Sequence, residues 1–330
     1  MSVSEPQARL SVQNIDDLVG LVPYLIGFHP EESLVVIVID AGRVEVTARV
    51  DLAAVSGRSS PGPLVARLFD RYPSAGGWFL AYTDDDRLAW DVLAGCVAVS
   101  GEARVQRLLQ VGSTAWRADA VDGPTGAINT SVASVAAEAA VLGLPARPSR
   151  RDLAAGIDGP ADGEEEDLAT RFAAAAVVLD RLGARGRRRL LRRLLTTDRP
   201  PDRDDCVRLA LLVQHAEAQV RVLRQLSRDS ADRQLALWTR VVRHTITLRR
   251  PAVLGLLGMA AWQNGDGALA MVSLELLDRI DPLEPLGALL DWLNEEVVPP
   301  QAWERLREPL LGALTDQFTV VDRRASPPGR

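Results

Sequence analysis

The apolar positions in the first part of the chain follow two different spacings. Residues 15–22 carry apolar side chains at helical spacing behind Asn14, which predicts a capped helix. Residues 34–39 are apolar without interruption and rich in β-branched side chains, which predicts a strand buried on both faces. Residues 44–51 alternate strictly between apolar and polar types, so this segment is predicted to pair with that strand in a hairpin.

Helical and extended patterns continue to alternate through the first half of the chain. The last of them predicts a helix over residues 132–142. We therefore predict an N-terminal α/β domain, residues 1–144, that contains a mixed sheet with a β-hairpin and flanking helices. The intervening elements are a helix over 64–72, a strand over 78–83, a helix over 88–99 and a strand over 104–111.

The second half of the chain carries helical patterns only. Residues 145–167 are acidic and poor in apolar side chains, which predicts a flexible linker. Beyond it we predict an all-α helical domain over residues 168–321 and a disordered tail over residues 322–330. The predicted helices span residues 169–182, 187–195, 206–226, 231–244, 252–262, 268–280, 286–296 and 302–315.

Length and composition narrow the class of protein. A chain of 330 residues with 47% hydrophobic content is long enough to form two hydrophobic cores. No stretch approaches the roughly 18–20 apolar residues that a membrane-spanning helix needs, and residues 1–14 lack the pattern of a secretory signal. Cys96 and Cys206 lie far apart, as expected in a reducing compartment. We therefore predict a cytoplasmic protein that does not associate with membranes.

The basic residues exclude several kinds of enzyme. All 38 of them are arginines, so the chain contains no lysine. A phosphate-binding loop of the Walker type, a Schiff-base enzyme and a serine–lysine acylase each require a lysine side chain, and all three are excluded. No other motif implies a cofactor, and we predict that none is bound.

The arginines are concentrated in one stretch of the second half. Residues 181–250 contain 18 arginines and 7 acidic residues, although the whole chain has a net charge of −6. Such a concentration of positive charge can form a surface that binds an anionic partner. The alternative is a solvated helix face whose leucines pack inward. Aromatic side chains for base stacking are absent from residues 181–237, so a nucleic-acid partner is the weaker prediction. The residues predicted to form a face for an anionic partner are Arg187, Arg188, Arg189, Arg192 and Arg193.

A polar loop in the first half offers a candidate catalytic site. His29 lies between the first predicted helix and the first predicted strand, and Glu32 and Ser33 follow it closely. A histidine with a carboxylate and a hydroxyl beside it can act as a general base in a hydrolase. The alternative is a tight turn in which His29 bonds a backbone carbonyl and Ser33 caps the turn.

Two other loops carry weaker candidates. Asp84, Asp85 and Asp86 follow a predicted strand and precede a predicted helix, where their carboxylates can hold a hydrated Mg²⁺ or, as the alternative, cap the helix. Residues 123–131 contain glycines and hydroxyl side chains ahead of a predicted helix, so their amides and hydroxyls can hold an anion. The alternative for that segment is an ordinary helix cap.

Two segments of the chain resemble a known family. Residues 23–35 are Pro-Tyr-Leu-Ile-Gly-Phe-His-Pro-Glu-Glu-Ser-Leu-Val, and residues 261–270 are Ala-Trp-Gln-Asn-Gly-Asp-Gly-Ala-Leu-Ala. Through them the chain resembles the actinobacterial domain-of-unknown-function family that carries the signature PYLLGFHPxxSLV. The resemblance implies an actinobacterial, intracellular protein and no particular activity.

The prediction that follows is a non-enzymatic binding or scaffold protein. Its most favoured partner is a protein of unknown identity, which binds the arginine-rich helical face; a nucleic acid is less favoured. The alternative is a hydrolase-type enzyme with a site around His29, Glu32 and Ser33.

Overall fold

The computed structural model describes the two halves of the chain as separate compact units, Met1–Arg150 and Arg151–Arg330. The first unit is a mixed sheet with flanking helices and the second is helical, so the predicted fold class is confirmed. The division falls within the segment 145–167, which the sequence predicts as the linker. The described residues are 12, 14–57, 59–128, 146–161, 163–197 and 199–325, with side chains as far as residue 315.

The first unit contains one sheet and three helices among the described residues. The helices are α1 (Ile15–Ile26), α2 (Gly62–Arg71) and α3 (Asp86–Ser100), and the strands are β1 (Ser33–Asp40), β2 (Arg43–Asp51), β3 (Gly76–Tyr82), β4 (Val105–Val111), β5 (Ala115–Ala118) and β6 (Thr125–Ala127). The strand order in the sheet is β2-β1-β3-β4-β5-β6. Strands β3 and β4 run parallel, and the other neighbouring pairs are antiparallel.

Strand β1 lies inside the sheet, between β2 and β3, and all of its residues except Asp40 are buried. Val36, for example, is opposite Ala48 on β2 and Phe79 on β3. A strand covered on both faces needs no polar alternation, which explains its uninterrupted apolar run. Strand β2 lies at the edge of the sheet and is partly exposed, so it keeps the alternating pattern that predicts it.

The far edge of the sheet departs from the sequence-based prediction. Residues 123–131 are predicted to be a loop ahead of a helix, either a weak candidate for anion binding or an ordinary helix cap. In the structure Thr125–Ala127 forms β6, which pairs with β5. Gly123 lies in the turn that joins them, where a Cβ atom would overlap the carbonyl oxygen of Ala118. Both strands are too short to show a period along the sequence. The helix predicted over 132–142 lies outside the described residues.

The second unit is built around one buried helix, which the other helices surround. Its helices are α4 (Arg150–Ala155), α5 (Glu165–Arg181), α6 (Gly183–Thr196), α7 (Arg203–Leu212), α8 (Ala216–Arg224), α9 (Arg228–Arg243), α10 (Arg250–Asn264), α11 (Gly267–Ile280), α12 (Pro285–Glu295) and α13 (Trp303–Ala325). Helix α10 is buried on all sides from Pro251 to Gln263 and packs against α9, α11 and α12. None of the helices described here is both long enough and apolar enough to cross a bilayer.

One predicted helix is wrong. The segment 206–226 is predicted as a single helix, but the structure has α7 and α8 with a break at Val213 and Gln214. Side chains stabilise the break: Gln214 Nε2 donates to the carbonyl of Ala210 at 2.8 Å, and Gln219 Nε2 donates to the carbonyl of Val213 at 3.0 Å. These bonds satisfy carbonyl groups at the end of a helix. The break contains neither glycine nor proline, so the sequence carries no signal for it.

The ends of the helical unit also differ from the predicted boundaries. The segment predicted as a flexible linker contains α4 and the start of α5, and Leu153 and Ile157 within it are buried. Helix α13 continues to Ala325, inside the segment predicted as a tail. Residues 326–330 of that segment lie outside the described residues.

Candidate functional site

Ser33, the candidate nucleophile of the first unit, is fully buried at the start of β1. Its Oγ donates to the carbonyl oxygen of Glu31 and accepts a hydrogen bond from Arg49 Nε at 2.9 Å. Arg49 is itself held by Asp51 at 2.6 Å and lies over the ring of Phe28. The hydroxyl of Ser33 therefore joins two strands and a turn, which is a structural role.

His29 and Glu32 contact groups other than Ser33. His29 is exposed, and its backbone N–H donates to the carbonyl of Arg147 at 3.1 Å. Glu32 Oε1 accepts from Thr83 Oγ1 at 2.8 Å, which ties the start of β1 to the end of β3. Within the described part of the chain, no hydrogen bond joins the imidazole of His29 to either Glu32 or Ser33. A serine hydrolase in which a histidine activates the hydroxyl requires such a link.

The three aspartates after β3 contact different groups. Asp84 Oδ1 accepts from the backbone N–H of Ser113 at 2.7 Å, and Asp85 Oδ1 caps α3 through the N–H of Leu88 at 3.0 Å. Hydrogen bonds from Arg117 and then from Gln110 lower the pKa of Asp86. The described residues contain no group of three carboxylate, histidine or cysteine side chains suited to a metal ion.

The arginine run forms one face of helix α6. Leu191, Leu194 and Leu195 are buried on the other face, as predicted for an amphipathic helix. The arginines on the outward face are not all simply exposed to solvent, because four of them border a cavity between α6 and α8. These four are Arg185, Arg188, Arg189 and Arg192, which follow the spacing i, i+3, i+4 and i+7 of a single helix face.

This cavity has a volume of about 370 Å³, and we call it the arginine cavity. Helix α8 contributes Arg221 to its wall, and Gln225 follows just after that helix. Among the described residues, its lining therefore consists of five arginines and one glutamine, without a carboxylate. Sequence reasoning missed Arg221 and Gln225, although their spacing of four on one predicted helix places them on the same face.

A second concavity adjoins the arginine cavity, and we call it the mixed groove. It has a volume of about 640 Å³ and shares Arg188 and Arg221 with the arginine cavity. The buried side chains of Leu191, Leu212 and Val220 form its apolar floor. The remaining lining residues are Ala184, Arg187, Gln214, His215, Ala216, Glu217, Ala218, Arg224 and Thr315.

The predicted arginines do not all take part in the arginine cavity. Arg187 lines the mixed groove and lies 3.9 Å from a carboxylate oxygen of Asp180. Arg193 lines neither the arginine cavity nor the mixed groove. The structure thus brings Arg188, Arg189 and Arg192 together in the arginine cavity, whereas Arg187 joins Arg188 only in the mixed groove.

Glu217 balances part of the positive charge where the cavity and the groove meet. Its Oε1 lies 2.7 Å from Arg188 and 3.2 Å from Arg221, and the hydrogen bond from Arg188 is the main reason that its pKa is lowered. Arg185, Arg189 and Arg192 form no ion pair within the part of the chain that the structure describes. The arginine cavity therefore carries a local excess of positive charge.

Comparison with known proteins identifies the family. A family model described as a domain of unknown function, DUF4192, matches residues 16–301, which include most of both units. The chain belongs to the DUF4192 family. Neither the curated proteins nor the solved structures include a match to it. Because the family has no assigned activity, the functional argument rests on the geometry of the DUF4192 chain itself.

The opposite side of α8 shows how this DUF4192 helix is anchored. Gln219 is buried, and its Nε2 donates to the carbonyl of Val213 and to Glu284 Oε1 at 3.3 Å. Burial raises the pKa of Glu284 to about 7. The Oε1 atom of Gln219 is buried without a partner in the described part of the chain. A protonated Glu284 can donate to such an acceptor, whereas a carboxylate cannot.

Glu284 is expected to make the stability of the DUF4192 chain depend on pH. Its pKa is raised in the folded state, so its contribution is fully present below about pH 4.5 and is lost as the pH rises through about 7. The free energy of unfolding is expected to fall by roughly 1–3 kcal/mol over this pH range. Glu284→Gln should abolish this pH dependence. Urea unfolding at several pH values measures this, with Glu304→Gln on α13 as the exposed control. A Glu284→Gln profile that falls as steeply as the wild-type profile would contradict the expectation.

Proposed function

We propose that this DUF4192 chain is a non-enzymatic binding protein whose helical unit holds an acidic segment of a partner protein in the arginine cavity. The observation that carries the proposal is the meeting of five arginines from two helices around one cavity, among the described residues, with no carboxylate in its lining. A solvated helix face alone does not account for Arg221, which comes from a different helix and points to the same space.

The physical argument concerns the cost of uncompensated charge. Arg185 and Arg189, and likewise Arg188 and Arg192, are four positions apart on α6. Like charges at this spacing destabilise a helix by about 0.2–0.5 kcal/mol for each pair. A bound polyanion removes the repulsion. Guanidinium groups also suit carboxylates, because their planar fork can donate two parallel hydrogen bonds.

The chemistry of the walls favours a protein over a nucleic acid. Single-stranded nucleic acids are held largely by aromatic side chains that stack on the bases. Among the described residues, neither the arginine cavity nor the mixed groove has a phenylalanine, tyrosine or tryptophan side chain in its lining. The cytoplasmic location and actinobacterial origin predicted from the sequence belong to the same proposal and stay predictions.

Replacing the three cavity arginines that form no ion pair among the described residues is expected to weaken binding of an acidic polypeptide. The variant is Arg185→Gln/Arg189→Gln/Arg192→Gln, and the probe is fluorescein-labelled polyglutamate, followed by fluorescence anisotropy at low ionic strength. We expect affinity to fall roughly 3- to 150-fold, since each of the three lost charge contacts contributes about 0.2–1 kcal/mol. The dependence of binding on salt concentration should also be weaker in this variant than in the wild type.

The control is a variant with the same change in net charge elsewhere. Arg67, Arg279 and Arg305 are exposed and lie outside the arginine cavity, so their replacement by glutamine should leave affinity within about twofold. An equal loss in both variants would show attraction by net charge alone and would contradict the proposal. Binding of an oligothymidylate that is tighter than polyglutamate and lost in the cavity variant would overturn the choice of a protein partner.

A further inference from the structure

The mixed groove adds an apolar surface to the charged site. Its floor consists of Leu191, Leu212 and Val220, and its sides include Ala184 and Ala218, whose small side chains leave the space above the floor open. Ala184 is exposed and Ala218 is half-buried, so a side chain from another molecule can reach this surface. Burial of one Leu-sized side chain there would contribute to affinity independently of charge.

The position of Glu217 determines where acidic and apolar side chains of a bound segment can lie. It neutralises Arg188 and Arg221 at the junction of the mixed groove and the arginine cavity. A second carboxylate placed beside Glu217 would be repelled, whereas an apolar side chain would not. Arg185, Arg189 and Arg192, which form no ion pair among the described residues, lie on the arginine cavity side of this junction. A bound segment therefore places its acidic side chains in the cavity and its apolar side chain in the groove.

The dimensions fit about two turns of a partner helix. The lining residues of α6 extend from Ala184 to Arg192. Eight positions along a helix correspond to about 12 Å, which is slightly more than two helical turns. Residues on successive turns of one helix face are three or four positions apart. The arginine cavity uses residues 185–192 of α6 and the mixed groove uses residues 184–191, so the two lie side by side along the same stretch of helix. A partner helix with acidic side chains along one side of its contact face and an apolar side chain on the other side matches this arrangement.

We infer that the occupant is an amphipathic helix of a partner protein, with an acidic cluster along one side of its contact face and an apolar side chain on the other side. The acidic cluster binds in the arginine cavity, and the apolar side chain enters the mixed groove beside Glu217. This inference rests on the proposed function, since it names the kind of acidic segment that the arginine cavity selects. It assigns helix-in-groove binding, with charge setting which side of the helix faces the arginine cavity.

The test compares two synthetic helical peptides that differ at one position. Both carry glutamates at positions i and i+4 along one side of the contact face, and one position on the other side of that face is either leucine or serine. The leucine peptide should bind the full chain about 10-fold more tightly than the serine peptide, as expected for burial of one such side chain. Isothermal titration should also show a more negative heat-capacity change for the leucine peptide.

Filling the groove should remove this preference. Ala184→Phe projects a ring over the apolar floor without a change of charge, and the expected ratio between the two peptides falls to about one. Ala218→Leu, on the facing helix, is the second variant should the first not fold. The matched control is Ala174→Phe, at an exposed alanine of α5 outside the groove, which should keep the 10-fold ratio.

The outcomes separate this inference from the proposed function. Equal affinity of wild type for both peptides, with binding lost in the Arg185→Gln/Arg189→Gln/Arg192→Gln variant, would overturn the amphipathic helix and leave the acidic partner standing. Failure of both peptides and of polyglutamate to bind would overturn the proposed function as well. A leucine preference that survives both groove-filling variants would place the apolar contact elsewhere and overturn the inference.

Discussion

Replacing Trp303 with alanine is expected to lower the free energy of unfolding of the helical unit by about 3–5 kcal/mol. The indole is fully buried, and its Nε1 donates to the carbonyl of Leu226 at 2.9 Å. It also packs edge-on against Trp262, with ring centroids 5.9 Å apart. The substitution removes a large apolar side chain and leaves the Leu226 carbonyl without this donor, and the two losses act in the same direction.

Urea unfolding followed by far-ultraviolet circular dichroism measures this loss. The control is Trp292→Ala, because Trp292 is 40% exposed, and we expect it to cost less than about 1 kcal/mol. Trp303→Phe should lie between the two, since it keeps an aromatic ring and loses the hydrogen bond. Equal losses for Trp303→Ala and Trp292→Ala would show that Trp303 does not hold α13 to the rest of the unit.

Gly255→Ala is expected to destabilise the chain by about 1–3 kcal/mol, although alanine is the better helix former. Gly255 lies in the buried helix α10, and a Cβ atom there would come within 2.5 Å of Leu286 Cβ on α12. The Cβ of leucine is fixed by the backbone and cannot turn away. Helix propensity by itself predicts the opposite sign, a gain of up to about 1 kcal/mol, so the direction of the effect separates packing from propensity.

Gly267→Ala is the matched control for that prediction. A Cβ atom at Gly267, in the first turn of α11, meets nothing within 4 Å. This substitution should be neutral or stabilising by up to about 1 kcal/mol, because only the propensity changes. Thermal and urea unfolding of the two variants side by side provide the comparison. A stabilised Gly255→Ala variant would mean that α10 and α12 separate readily, contrary to the close approach of the two helices.

Local patterns in the sequence were sufficient for the elements with a strong period. The run of residues 34–39 predicts β1 because a strand covered on both faces carries apolar side chains at every position. The leucines of residues 190–195 predict the buried face of α6 in the same way. Strands β5 and β6 were missed, since three or four residues are too few to display a period.

The candidate catalytic site shows that residues close together in sequence need not contact one another. His29, Glu32 and Ser33 are close along the chain, which suggested cooperation. The structure gives each a different task, because side chains next to one another on a strand or turn face different directions. Ser33 binds Arg49 of the neighbouring strand, and Glu32 binds Thr83, which is 51 positions away.

The sequence by itself determined that this protein has an α/β half and a helical half, that it contains no lysine, and that one helix concentrates its arginines opposite its leucines. Only the tertiary structure decided that Arg221 joins those arginines, that Glu217 neutralises Arg188 from 29 positions away, and that an apolar groove adjoins the charged cavity. The reason is physical. Periodicity records which face of each element is buried, whereas the contacts between elements depend on how all the buried faces pack together.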